Sequence, residues 1–311
     1  MRSVINKGMN GWIVVDKQIG ITSRQVVTRI SKTLNIKKVG HGGTLDPLAT
    51  GVLPIAIGEA TKVISFIQDT KKKYSFIIKW GETTDTDDSE GKILEKSASR
   101  PTQEEIKNIL KNFIGNIFQK PPIYSAIKIN GQRSYKLARK NVKIEHIHRK
   151  VQIDTLILKK IINIDSAEFE VKCGKGTYVR SLARDIAEKL NTKGHIISLR
   201  RLSVGAFDEK DTIFIDFSRE IIHSPSILYK ILPIKTVLDD IPVLVLNETE
   251  ARRVQQGQKI NLNSLEFIKQ FQVKYPNHNE FQKICATKDE KLVALIKIDN
   301  GIIRPTRIIN F

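Results

Sequence analysis

GHGGTLDPLATGVLP, residues 40–54, sets a single carboxylate, Asp46, among four glycines, two prolines and one histidine. Gly40, Gly42, Gly43 and Gly51 tolerate positive φ and close backbone approach, while Pro47 and Pro54 hold φ near one value and withhold an N–H. Such a stretch reads as a shaped loop. A stiff loop with one ionisable group is a common seat for chemistry, but an aspartate there also serves simply to cap a turn. The loop alone leaves both readings open.

The remainder of the chain narrows the choice. Its 311 residues, 40% of them hydrophobic, are enough for one large domain and a small one. The formal net charge of +19 points to a polyanionic partner, nucleic acid first, although a basic surface also serves solubility. The charge is uneven: residues 1–236 hold 41 Lys and Arg against 24 Asp and Glu, whereas 237–311 hold 11 against 9. The first three quarters are therefore expected to carry most of the anion contact. Cys173 and Cys285 are too far apart in sequence for a zinc or redox motif, and two lone thiols suit a reducing compartment. With no apolar leader or membrane-length apolar run, the expected location is cytoplasmic.

Residues 22–35 predict an amphipathic helix capped by Thr22, with Val26, Val27, Ile30 and Leu34 on one face. KYSFIIKW at 73–80 alternates as a strand with Tyr74, Phe76, Ile78 and Trp80 on one side. The acidic GETTDTDDSEG at 81–91 reads most plainly as a solvated turn. Thr102 and Glu105 form a capping box ahead of Ile106, Ile109, Leu110 and Phe113, with Gly115 closing that helix. Residues 128–150 carry eight Lys or Arg against the lone acid Glu145, which fits either a solvated insertion or an arm following a folded RNA. The strand at 167–173 leads through Gly174-Lys175-Gly176 into a helix with Val179, Leu182, Ile186 and Leu190 inward. Arg180 falls in its first turn, where the helix dipole disfavours a cation by up to about 1 kcal/mol, so an anion is expected beside it. Three prolines at 224–242 mark a domain boundary near 236–243. A β-rich module follows, with a helix boxed by Asn247 and Glu250 and a strand at 291–299.

Neither a second acid near Asp46 nor clustered metal ligands are written locally, and the loop lacks the Gly-Lys-Ser/Thr spacing of a phosphate loop. What remains is one aspartate held by an arginine, with a tyrosine to cover a flat substrate. That trio suits attack on a base or sugar drawn out of its stack.

HGGTLDPLATGVLPIAIGEATK (41–62), KYSF, TDTDDSEG, PPIYSAIKINGQRSYKLAR and KGTYVRSLARD, in this order, resemble the TruB family of bacterial tRNA pseudouridine synthases. The likeness runs from about residue 10 to 205, departing at Gln18 and Asn141. It implies an α+β fold with a mixed, mainly antiparallel sheet flanked by helices. A catalytic domain would span 1–240, with 128–150 its RNA-gripping insertion, and a PUA-like RNA-binding domain 241–311. The same resemblance makes Asp46 catalytic, with Arg180 holding it ionised. Tyr74, Tyr178 and Leu199 then line the base pocket, His41 helps evict the base, Lys62 closes the motif and Asp85 lies near the substrate. Lys128, Arg133, Lys136, Arg139 and Lys140 become RNA contacts. The implied reaction flips a T-loop uridine, position 55 of tRNA, and isomerises it with no cofactor and no metal. The implied partner is the tRNA T stem-loop, met by a monomer needing neither guide RNA nor protein partner. Competing readings are an RNA-binding or RNA-folding protein on the same scaffold and a guide-RNA-dependent synthase.

Overall fold

A computed structural model describes residues 9–125, 127–129, 131–140, 142, 147–217, 230–276 and 281–310. Asn141 therefore lies outside the described residues, as do parts of the insertion and of the boundary segment. Ten strands form one mixed sheet. From one edge the order is Ile213–Phe214, Gly11–Lys17, Thr50–Ile57, Gly194–Val204, Lys72–Trp80, Ser166–Cys173, Arg149–Asn163 and Gly115–Gln119, with Val39–His41 and Phe207–Asp208 attached beside it. Two pairings are parallel, Gly11–Lys17 with Ile213–Phe214 and Thr50–Ile57 with Gly194–Val204; all others are antiparallel. The mixed, mainly antiparallel α+β fold is thus the one expected.

Local chemistry accounts for the helices. Ser23–Leu34 starts where Thr22 accepts the Gln25 N–H at 3.2 Å, buries Val26, Ile30 and Leu34, and ends on Asn35 at φ 50°. Gln103–Leu110 has its Thr102/Glu105 box, but it tightens into a 3₁₀ turn at Lys111–Phe113. Gly115 does not close it; at φ 95° it opens the strand Gly115–Gln119. The alternating strands supply the core: Phe76 stacks on Phe169 at 5.4 Å, and Trp80 meets Phe169 edge-on at 6.1 Å.

The glycine segment is less of a loop than its composition suggests. Only residues 42–49 are irregular, because Thr50–Ile57 is a buried strand deep in the sheet. Pro54 lies inside that strand opposite Val14, and its carbonyl accepts the Gly42 N–H at 2.8 Å. Gly51 sits at φ 95° where the strand meets Arg201, and a Cβ there would lie 2.3 Å from the Arg201 carbonyl oxygen. Gly51→Ala is therefore expected to cost at least about 2 kcal/mol, through strain and backbone displacement together. Urea unfolding beside Gly131→Ala, whose Cβ meets nothing within 4 Å, separates that clash from the cost of φ alone.

The C-terminal residues form a second sheet in the order Val243–Val245, Phe281–Lys288, Lys291–Asp299, Ile302–Ile308, Ile260–Asn261. It packs against the first sheet, since Trp12, Val14, Val52, Cys285, Leu292, Leu295 and Ile309 share one buried cluster. Among the described residues, no helix is long and apolar enough to cross a membrane.

Candidate active site

Asp46 and Arg180 come together. Arg180 Nε lies 2.9 Å from Asp46 Oδ2 without aiming its N–H along that line, so the contact is Coulombic more than directional. The guanidinium also donates to the carbonyls of Thr86 at 2.8 Å and Tyr124 at 3.1 Å, and its Nη1 stands 3.5 Å from Asp88 Oδ2. Two carboxylates and two carbonyls thus surround a cation in the first turn of the helix Val179–Lys189, offsetting its dipole. Exposure divides the roles. The side chains of Arg180 and Asp88 are 6% and 4% exposed, whereas that of Asp46 is 38% exposed. The network is sealed except where the Asp46 carboxylate opens outward.

The acidic stretch supplying Asp88 is not a solvated turn. Thr84, Asp87 and Asp88 are buried, and the loop is strapped to the helix by two arginines one turn apart. Arg184 bonds Asp87 at 2.8 Å while Arg180 reaches Asp88. Thr86 Oγ1 and the Glu90 N–H donate to Asp88 Oδ1 at 2.6 and 3.1 Å, fixing the carboxylate. Burial pushes the Asp87 carboxyl up to about 6, with the Arg184 charge opposing. Asp88 is the residue that sequence reading missed. Asp85, placed near the substrate by resemblance, instead accepts the Lys92 N–H at 2.8 Å and pins its own hairpin. Three acids within four residues look alike in sequence, and only the turn decides which one faces Arg180.

The other site residues separate into pocket, core and latch. Tyr74 is half-buried on its strand, paired across to Arg201 on one side and Val171 on the other. Burial pushes its phenol up, and the neighbouring Arg201 charge opposes this. Tyr178 precedes the helix; burial first and the Asp46 charge second raise its phenol, which places it within electrostatic reach of the carboxylate. Leu199 is almost fully buried opposite Phe76 and belongs to the core under the site. His41 is half-buried, its Nδ1 has no hydrogen-bond partner among the described residues, and burial followed by the Arg201 charge lowers its imidazole below the usual range. Lys62 turns away from the pocket. Its Nζ pairs with Glu59 at 2.5 Å and donates to the Ile308 carbonyl at 2.6 Å, while Glu59 also accepts the Asn310 N–H at 2.9 Å. It ties the turn Gly58–Val63 to the last strand, Ile302–Ile308.

Lys128, Arg133, Lys136, Arg139 and Lys140 are all exposed. They sit on a short hairpin, Lys128–Ile129 with Gln132–Arg133, on the helical turn Ser134–Ala138, and at 139–140 just past its end. The Ser134 and Tyr135 N–H groups anchor this unit to the carbonyls of Ile127 and Ser125 at 2.7 and 3.1 Å. The described part of the insertion is thus an ordered platform.

Lys17 buttresses the aspartate loop from below. It is fully buried, and its ammonium donates to the carbonyls of Gln18 at 2.9 Å, Ile21 at 2.6 Å and Pro47, next to Asp46, at 3.2 Å. Burial lowers its pKa from 10.5 to about 8, with the Asp46 charge opposing. Between those values the native state has released a proton that the unfolded chain still holds, so this residue's contribution to stability rises with pH. The unfolding free energy of the protein minus that of Lys17→Met is expected to grow by about 3 kcal/mol across pH 8–10.5. A flat difference in pH-dependent urea melts would refute it.

Residues 31–179 match the model of the TruB family pseudouridylate synthase N-terminal domain, and 180–226 that of the tRNA pseudouridylate synthase B C-terminal domain. The chain is similar to tRNA pseudouridine synthase B of Rhodospirillum rubrum, 45% identical over 304 residues that cover 98% of this chain and 97% of the relative. Its counterpart from Ehrlichia ruminantium is 42% identical over 306 residues, covering 97% and 100%. In fold, the chain is similar to one in the crystal structure of a Cbf5-Nop10-Gar1 complex, at a TM-score of 0.71 and 23% identity, covering 96% of this chain and 85% of that one. With relatives this similar along almost its whole length, and an Asp46–Arg180 pair at the mouth of its motif loop, the chain belongs to the TruB family of pseudouridylate synthases.

Proposed function

We propose that this protein isomerises the T-loop uridine of tRNA, position 55, to pseudouridine, with Asp46 as its catalytic residue. The observation that carries the reading is the sealed Arg180 network with Asp46 its exposed member. Arg180 sets a positive charge beside the Asp46 carboxylate, and Lys17, through the Pro47 carbonyl, limits where the loop can point. A uridine swung out of its stack meets the Asp46 carboxylate with Tyr74 and Tyr178 nearby to cover the base. The C1′–N1 bond breaks, the uracil turns, and a C1′–C5 bond forms. The C5 proton leaves and N1 gains one, so composition and oxidation state are unchanged.

The exposed cations on the anchored 128–140 platform suit phosphate contacts along the T stem, and the C-terminal β-rich module is suited to a PUA-like role in holding RNA. Because the platform supplies basic surface on the same chain as the site, the enzyme works as a monomer without guide RNA or protein partner, in the cytoplasm where tRNA matures. Incubation of the purified protein alone with unmodified tRNA transcript, followed by mass-tagging of pseudouridine, tests this. Conversion confined to the T-loop uridine is the expected result. Folded, RNA-bound protein that leaves that uridine unchanged would refute the assignment.

A further inference from the structure

Arg201 takes no part in the pair just described, yet it is among the most deeply buried large side chains in the molecule, 1% exposed. Among the described residues no carboxylate forms an ion pair with it. Its Nε donates to the Val52 carbonyl at 2.7 Å and its Nη2 to the Gly43 carbonyl, within the aspartate loop, at 3.1 Å. Removing a guanidinium from water without a counter-charge is unfavourable, and two carbonyl dipoles only partly offset it. A leucine or methionine would fill the space more cheaply.

Its surroundings indicate what the charge does. In the antiparallel pairing of Gly194–Val204 with Lys72–Trp80, Arg201 stands directly opposite Tyr74, so the two side chains leave the same face as neighbours. A register shift follows between Arg201 and Ser203, the kind of irregularity that re-aims a side chain beside a site. Gly51, paired with Arg201, lets the neighbouring strand close directly over the Arg201 backbone, where a Cβ would meet the Arg201 carbonyl oxygen at 2.3 Å. Burial raises the Tyr74 phenol and this neighbour's charge opposes it, while burial first and the same charge second lower the His41 imidazole.

We propose that Arg201 is a positioning residue of the isomerisation: it ties the Tyr74 ring to the Gly43 end of the aspartate loop and places a permanent positive charge beneath the base pocket. The inference rests on the reaction read above. When the C1′–N1 bond breaks heterolytically its electron pair stays on the uracil, and a fixed cation under the covering ring favours that charge without reorganising. An arginine serves because it stays protonated at any working pH.

The test separates this role from mere packing. Tyrosine labelled at Cζ reports phenol ionisation by NMR, and Tyr74→Phe assigns the Tyr74 signal among the six tyrosines. The Tyr74 midpoint is expected to rise by about one pH unit or more in Arg201→Met and to return partway in Arg201→Lys. Single-turnover rates should fall about tenfold or more in Arg201→Met, and far less when the same change is made in Tyr74→Phe. Should Arg201→Met not fold, the Arg201 Nε resonance in the wild-type protein serves instead, since it should move on Tyr74→Phe. An unmoved Tyr74 titration, an unmoved Nε resonance, or equal rate losses in both backgrounds would overturn the proposal. The NMR readings need no turnover, so they stand or fall independently of whether tRNA is converted.

Discussion

Asp46→Asn is expected to lower turnover on tRNA by at least about 10³-fold while leaving tRNA affinity within about threefold of wild type. The substitution keeps the shape of the side chain, so the loop held by Lys17 and the Gly42–Pro54 hydrogen bond should persist. What disappears is the one charge of the Arg180 network that faces outward. Binding should survive because it draws on many Lys and Arg contacts to phosphate, and removing an anion from an RNA-facing loop does not weaken those. Single-turnover kinetics with filter binding at fixed salt checks both halves. Parallel losses of affinity and rate would mean that Asp46 holds the loop or the RNA and does no chemistry. Residual conversion within tenfold of wild type would move the catalytic role elsewhere.

Arg180→Lys is expected to be nearly as damaging to rate, and unlike Asp46→Asn it should also destabilise the fold. The guanidinium serves four partners at once: the Asp46 and Asp88 carboxylates and the Thr86 and Tyr124 carbonyls. A lysine ammonium is a compact point charge and cannot span that arrangement, so the conservation of charge gives little protection. Asp88, 4% exposed, would be left as a buried carboxylate without its arginine, a class of loss that costs about 3–5 kcal/mol. A loosened Asp46 should reduce the rate by a further 10²-fold or so, from misplacement alone. Urea unfolding with circular dichroism, beside single-turnover kinetics in native buffer, resolves the two effects. A variant that keeps full stability would show that the four-way contact is dispensable.

The sequence alone determined what depends on neighbours along the chain. Thr22 with Gln25, Thr102 with Glu105 and Asn247 with Glu250 are boxes closed over three residues, so the helices they start were legible. Alternation at 73–80 and 167–173 was legible for the same reason, and the first-turn position of Arg180 announced its need for an anion. What those signals could not contain is distance in the fold. Lys62 meets Ile308 across 246 positions, Arg184 meets Asp87 across 97 and Arg201 meets Val52 across 149. Tertiary structure therefore decided that Lys62 ties its turn to the last strand, that Asp88 and not Asp85 faces Arg180, and that Pro54 sits within a central strand. It also decided that Lys17 and Arg201 are sealed inside with carbonyls as their hydrogen-bond partners. A buried charge is set by which distant backbone happens to enclose it, and no local pattern of residue types carries that information.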